Sequence, residues 1–112
     1  MKKLFISCPM RDKTEAEIIE TRDKMHKISE IIVGEPLEVI DSYIWNEPPE
    51  TKQVAVYYLG ESIKNLSEAD YMATTSDRWD YSGCLVEYTT AIQYDIPIIT
   101  IDLKADNFGV EL

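Results

Sequence analysis

Four short apolar runs alternate along the chain with three longer stretches of helical period, and no other feature constrains the fold as much. The runs are Lys3 to Ser7, Leu37 to Asp41, Asp70 to Thr75 and Ile96 to Ile101. Each has the length and residue content of a buried strand. The first stops at Cys8-Pro9, and the fourth carries its proline near its start, where a missing N–H is tolerated. Between the first two runs, Thr14 and Glu17 stand at capping-box spacing, and Ile18, Met25, Ile28 and Ile32 recur at helical intervals before Gly34. A helix is predicted over 14–33. After Asn46-Glu47-Pro48-Pro49, which cannot continue regular structure, Val54, Tyr57, Tyr58, Ile63 and Leu66 keep an approximate helical period. A second helix is predicted over about 50–67, with Gly60 costing about 1 kcal/mol relative to alanine but not ending it. A polar loop over 76–83 leads into a third helix over 83–94. The last eleven residues are weakly patterned and receive no element.

Each connection between successive strands therefore contains a helix long enough for a crossover, which makes the strands parallel. Right-handed crossovers favour a doubly wound sheet of about four strands in the order 2-1-3-4, a flavodoxin-like three-layer α/β sandwich. Ligands of such sheets sit outside the carboxyl ends of strands 1 and 3, where the winding reverses. A length of 112 residues suits one domain over 1–112.

Composition narrows the partners. A formal net charge of −10 repels a phosphate backbone and excludes a nucleic-acid polymer as the expected partner. No run approaches the roughly 20 apolar residues of a membrane span, and Met1-Lys2-Lys3 leads directly into a strand, so no membrane partner and a cytoplasmic location are expected. Cys8 and Cys84 are too few for a disulfide framework and lack metal-ligand spacing, which reads as two reduced thiols and no metal site. His26 lies among Lys and Asp on a helix and reads as a solvated surface residue.

The topology gathers the loops Cys8 to Lys13, Asp41 to Pro49 and Ser76 to Gly83 at one edge. Glu87 falls about one turn into the helix after the third loop, and its carboxylate leans back toward that edge. The positive end of the helix dipole favours its ionised form, which suits a nucleophile or base better than a proton donor. Trp79 and Tyr81 flank Asp80 and either stack on a flat heterocycle or pack as a lid on the core. Tyr43 and Trp45 read as packing or subunit-contact residues. Asp41 suits a ribose hydroxyl or a simple turn. Arg11, with Lys13 near it, suits a 5′-phosphate met jointly with loop amides, or plain solvation.

The order and spacing of Leu4-Phe5-Ile6-Ser7-Cys8-Pro9-Met10-Arg11, of Leu66-Ser67-Glu68-Ala69-Asp70, and of Gly83-Cys84-Leu85-Val86-Glu87 with Ala91 and Ile96-Pro97-Ile98-Ile99 resemble the nucleoside 2-deoxyribosyltransferase superfamily over about residues 3 to 101. The likeness is greatest to its small bacterial and phage members of uncharacterised function, in which glycine stands at the place of Cys8. The superfamily also includes 2′-deoxynucleoside 5′-phosphate N-hydrolases, whose nucleophilic glutamate lies four residues after a glycine, as Glu87 follows Gly83. The resemblance implies cleavage or transfer at the N-glycosidic bond of a 2′-deoxynucleoside or its 5′-monophosphate, through a covalent ester on Glu87. It implies no cofactor, and a homo-oligomer in which a neighbouring chain completes the pocket. The loop placement and the resemblance together give the candidate substrate-binding set Ser7, Pro9, Met10, Arg11, Asp41, Ser62, Asp77, Trp79, Asp80 and Gly83.

One departure stands out. An aspartate that the hydrolases carry eight residues before the aspartate opening the third strand is replaced here by Ser62, counted back from Asp70. Glu61 is rotated by about 100° from that position and is no simple substitute. Asp77 and Asp80 are candidates for the missing carboxylate. The alternative to an enzyme is a non-catalytic module that binds a nucleotide or an ADP-ribose-like ligand as a sensor or sequestering protein.

Overall fold

The computed structural model describes residues 1–41 and 50–104 together with the backbone of 109–111. Tyr43 and Trp45 lie outside the described residues. The elements follow in the order β1 (Lys2–Ile6), α1 (Glu15–Val33), β2 (Leu37–Val39), α2 (Val54–Leu66), β3 (Tyr71–Thr75), a 3₁₀ turn (Arg78–Asp80), α3 (Ser82–Gln93), β4 (Ile98–Asp102) and β5 (Gly109–Glu111). The sheet runs β2-β1-β3-β4-β5. Its first four strands are parallel, in the predicted order 2-1-3-4. The fold is the flavodoxin-like α/β arrangement that the alternation of runs and helices implied.

The side-chain alternation of β1 divides the core in two. Leu4 and Ile6 pack with Ile18, Met25 and Ile28 of α1, whereas Phe5 points the other way and packs with Leu66 of α2, Met72 of β3 and Ala91 of α3. Burial of both faces explains why these strands read as continuous apolar runs and not as alternating ones.

α1 forms where its caps place it. Thr14 accepts from the Glu17 N–H at 3.1 Å, and the Glu17 carboxylate accepts from the Thr14 N–H at 3.2 Å. At the other end Gly34 takes φ 82° and donates to the Glu30 carbonyl, which ends the helix in the left-handed conformation that glycine adopts without strain.

Several boundaries depart from the sequence reading, and β2 ends at Val39, two residues before Asp41. α2 begins at Val54, because Gln53 occupies the N-cap without a side-chain cap bond and nothing extends the helix back toward Glu50. β4 begins at Ile98, although the Pro97 carbonyl already accepts from the Met72 N–H at 2.9 Å. β5 was not read at all. It pairs antiparallel with β4 over three residues, too short a run for a period of two to register.

The caps of α1 yield a stability test. Thr14→Ala removes an N-cap acceptor, and Gly34→Ala forces a Cβ into the left-handed region with no clash to compound the strain, since nothing lies within 4 Å of that Cβ. Each substitution is expected to cost about 1 kcal/mol in urea unfolding with an unchanged m-value. A loss below a few tenths for both would show that α1 does not depend on its caps.

Candidate functional site

The carboxyl ends of β1 and β3 lie side by side, and beside β1 a cleft of about 390 Å³, within the range of small-molecule sites, opens between α2, the segment after β1 and the start of α3. Three segments build it. α2 supplies a wall from Ala55, Tyr58, Leu59 and Ser62, residues at the i, i+3, i+4, i+7 spacing that puts side chains on one helix face. The segment after β1 supplies Cys8, Met10 and Arg11, and the start of α3 supplies Gly83, Cys84 and Glu87. Glu61 does not line it, as its rotation from Ser62 dictates.

Glu87 is the sixth residue of α3 and only 9% exposed. Its Oε1 accepts a hydrogen bond from the Ser7 hydroxyl at 2.8 Å, and Ser7 itself is 1% exposed. The Ser7 N–H bonds to the Ala73 carbonyl, so the pairing of β1 with β3 continues one residue past β1 and fixes the donor in place.

The protonation of Glu87 differs from the helix-dipole expectation. Burial pushes its carboxyl up to about 7, against the opposing pull of the Ser7 hydrogen bond and the weaker attraction of the Arg22 guanidinium on α1. The dipole acts within the first turn, and Glu87 lies beyond it, where desolvation dominates. Near neutrality the buried carboxyl divides between its two forms.

Cys8 and Cys84 are both buried and free, and both line the cleft. Burial pushes each thiol up to about 11, which keeps both protonated and poorly nucleophilic at neutral pH. Among the described residues, no group of three or more His, Cys, Asp and Glu side chains is arranged to hold a metal ion.

Arg11 stands at the rim. Its Nη2 donates to the Asp80 carbonyl at 2.9 Å, and its guanidinium lies over the Tyr81 ring at 5.3 Å, so the first and third loops are joined across the cleft mouth. Gly83, in the first turn of α3, has open space where a Cβ would stand, which leaves that volume to the cleft.

The remaining sequence candidates lie elsewhere. Pro9 and Asp77 line a second cleft of about 310 Å³ together with Lys13, Asp102 and Lys104. Asp80 contributes its backbone carbonyl to Arg11 and is not among the residues lining the Glu87 cleft. Neither aspartate lines the Glu87 cleft. Trp79 is 64% exposed and packs edge-on against Tyr88, with Arg78 over both rings. At that exposure the ring is not a lid on the core, and it does not line the cleft, which Tyr81 does. Asp41 is exposed two residues past the end of β2, away from the cleft lining.

Sequence reasoning passed over Ala55 and Leu59 and used Tyr58 only as a helix-period residue. Their spacing from Ser62 was the signal that joins them to the site. Compared with family models, with curated proteins and with solved structures, the chain finds no match.

The raised pKa of Glu87 has a consequence for stability. Between its ordinary value of 4.5 and about 7, the folded protein binds the Glu87 proton more tightly than the unfolded chain. The associated stability is full below 4.5 and is lost as pH rises through about 7. Glu87→Gln keeps the volume and a hydrogen-bond acceptor but cannot ionise. Relative to this variant the wild type is expected to lose about 2 to 3 kcal/mol between pH 4.5 and pH 8, read by denaturant unfolding at each pH. Parallel pH profiles for the two proteins would refute a buried, elevated Glu87.

Proposed function

We propose that the protein cleaves or transfers at the N-glycosidic bond of a 2′-deoxynucleoside or its 5′-monophosphate, with Glu87 as nucleophile. The observation that carries this reading is a single buried carboxylate in a nucleoside-sized cleft, held by one hydroxyl donor. In the first step a Glu87 oxygen bonds to C1′ as the C1′–N bond breaks, and the bonding pair leaves on the base, which takes up a proton. In the second step a water or another base attacks C1′, and the carboxylate leaves. Either nucleophile gives up its proton to solvent, a water yielding the free sugar and a base, through its ring nitrogen, a new nucleoside. Two displacements give net retention, as in retaining glycosidases.

The cleft supports the substrate class in three ways. Tyr58 and Tyr81 offer aromatic surface to a base, Ser62 offers a hydroxyl to the sugar, and Arg11 at the rim offers a cation to a 5′-phosphate. The outer face of α3 carries Val86 and Ile92 exposed, and in a chain of net charge −10 that helix holds no charged residue except buried Glu87. A face without charge suits contact with a second copy, in keeping with a homo-oligomer.

A second reading has its own support. Among the described residues lining the cleft, Glu87 is the one carboxylate, so no partner acid stands ready to protonate the leaving base. On this reading the cleft binds a nucleotide or ADP-ribose-like ligand without turnover.

Incubation with each deoxynucleoside and deoxynucleoside monophosphate, with and without a free base, separates the two. Released or exchanged base is expected, with a drop on the order of 10³-fold or more in Glu87→Ala. The rate is expected to rise with pH through about 7, because the nucleophile is the ionised carboxylate. Sedimentation of the same preparation is expected to show more than one chain per particle. Base release equal in Glu87→Ala would exclude the enzyme reading, and a ligand-induced rise in melting temperature without any release would select the binding module.

A further inference from the structure

We propose that Ser7 is a positioning residue that commits Oε1 of Glu87 to a hydrogen bond and so leaves Oε2 as the oxygen that meets the ligand. The inference rests on the reading of Glu87 as the reacting group, and its geometry comes from the sheet. Ser7 follows Ile6 in β1, so its side chain turns to the face that carries Phe5, toward α2 and α3. Its backbone N–H is tied to the Ala73 carbonyl at 2.8 Å, one step beyond the Ile6 to Ala73 pairing of β1 with β3. The residue has no freedom to move with a loop.

A serine hydroxyl has a single proton to give. At 1% exposure that proton cannot go to bulk water, and the geometry gives it to Oε1 at 2.8 Å. The Cys84 thiol, one turn before Glu87 on α3, also feels the Ser7 hydroxyl. Ser7 is buried, and its hydroxyl holds the Glu87 carboxyl from the sheet.

A buried donor to a carboxylate favours its charged form. Ser7 thus keeps ionisation of Glu87 within reach of neutral pH although burial opposes it. Other groups face the same carboxyl. Arg22 approaches from α1 and acts in the same direction as Ser7. Cys84 lies on α3 itself, and Cys8 and Arg11 come from the segment after β1. Tyr58 faces the cleft from α2, and Asp77, after β3, acts on the two thiols. Substitution at Ser7 leaves all of these in place, so a change in Glu87 titration reports the hydroxyl.

The test is a ¹³C NMR titration of the Glu87 side-chain carboxyl in the full chain, the resonance identified by its disappearance in Glu87→Gln. In Ser7→Ala the midpoint is expected to rise by about one pH unit, roughly a tenfold gain in proton affinity. Ser7→Thr, which restores the hydroxyl, is expected to titrate within a few tenths of a unit of wild type. A midpoint unchanged in Ser7→Ala, or shifted equally in Ser7→Thr, overturns the proposal. If Ser7→Ala does not fold, Ser7→Cys supplies a weaker donor of similar size, and its midpoint must lie above wild type for the proposal to stand. The titration needs no substrate, so its result is independent of whether the protein turns one over. Where turnover is measured, the rising pH limb of kcat must move upward in Ser7→Ala by the same interval.

Discussion

Burying one carboxylate at the edge of a parallel sheet sets the terms for everything around it. An ionised carboxylate loses several kcal/mol of hydration when it leaves water, and one hydrogen bond with one nearby guanidinium recovers only part of that. Glu87 is held in this balance by Ser7 from the sheet and Arg22 from α1, with burial the largest influence. The pairing of β1 with β3 places Ser7, and the start of α3 places Glu87 opposite it. If either element shifted by one residue, hydroxyl and carboxylate would face different surfaces, since one step reverses direction in a strand and turns about 100° in a helix.

The two-sided core supplies the rigidity this needs. α1 packs against Leu4 and Ile6 on one face, and α2 and α3 pack against Phe5 and Met72 on the other. Because α1, which follows β1, and α3, which follows β3, pack on opposite faces of the sheet, the chain parts at the carboxyl ends of these two neighbouring strands. The cleft is thus a consequence of chain winding, and its chemistry comes from the few side chains the winding delivers there.

How far the sequence discloses this depends on the kind of residue. Positions on long helices and strands were legible, because period and topology determine direction. Thr14 and Gly34 announced the ends of α1, and Ser62 and Glu87 fell on the faces their helical phase requires. Residues in the loop after β3 were not legible. Nothing in the spacing of Asp77, Trp79 and Asp80 indicates that the first turns to a second cleft, the second packs on Tyr88, and the third offers its backbone to Arg11. A loop side chain takes its direction from contacts distant in sequence, and those become visible only once the chain is folded. The ionisation of Glu87 was misjudged for a related reason. The helix dipole can be read from local position, whereas desolvation depends on neighbours brought from β1, α1 and α2.

The proposed covalent bond between Glu87 and the sugar can be trapped. Its most direct test is intact-protein and peptide mass spectrometry after acid quenching of the protein mixed with a deoxynucleoside or its monophosphate at alkaline pH, where the carboxylate is ionised. A mass increment of one deoxyribosyl group is expected, with its phosphate if the monophosphate is used, mapping to the peptide that contains Glu87 and absent from Glu87→Gln. Turnover without any such adduct, or an adduct that persists in Glu87→Gln, would contradict it.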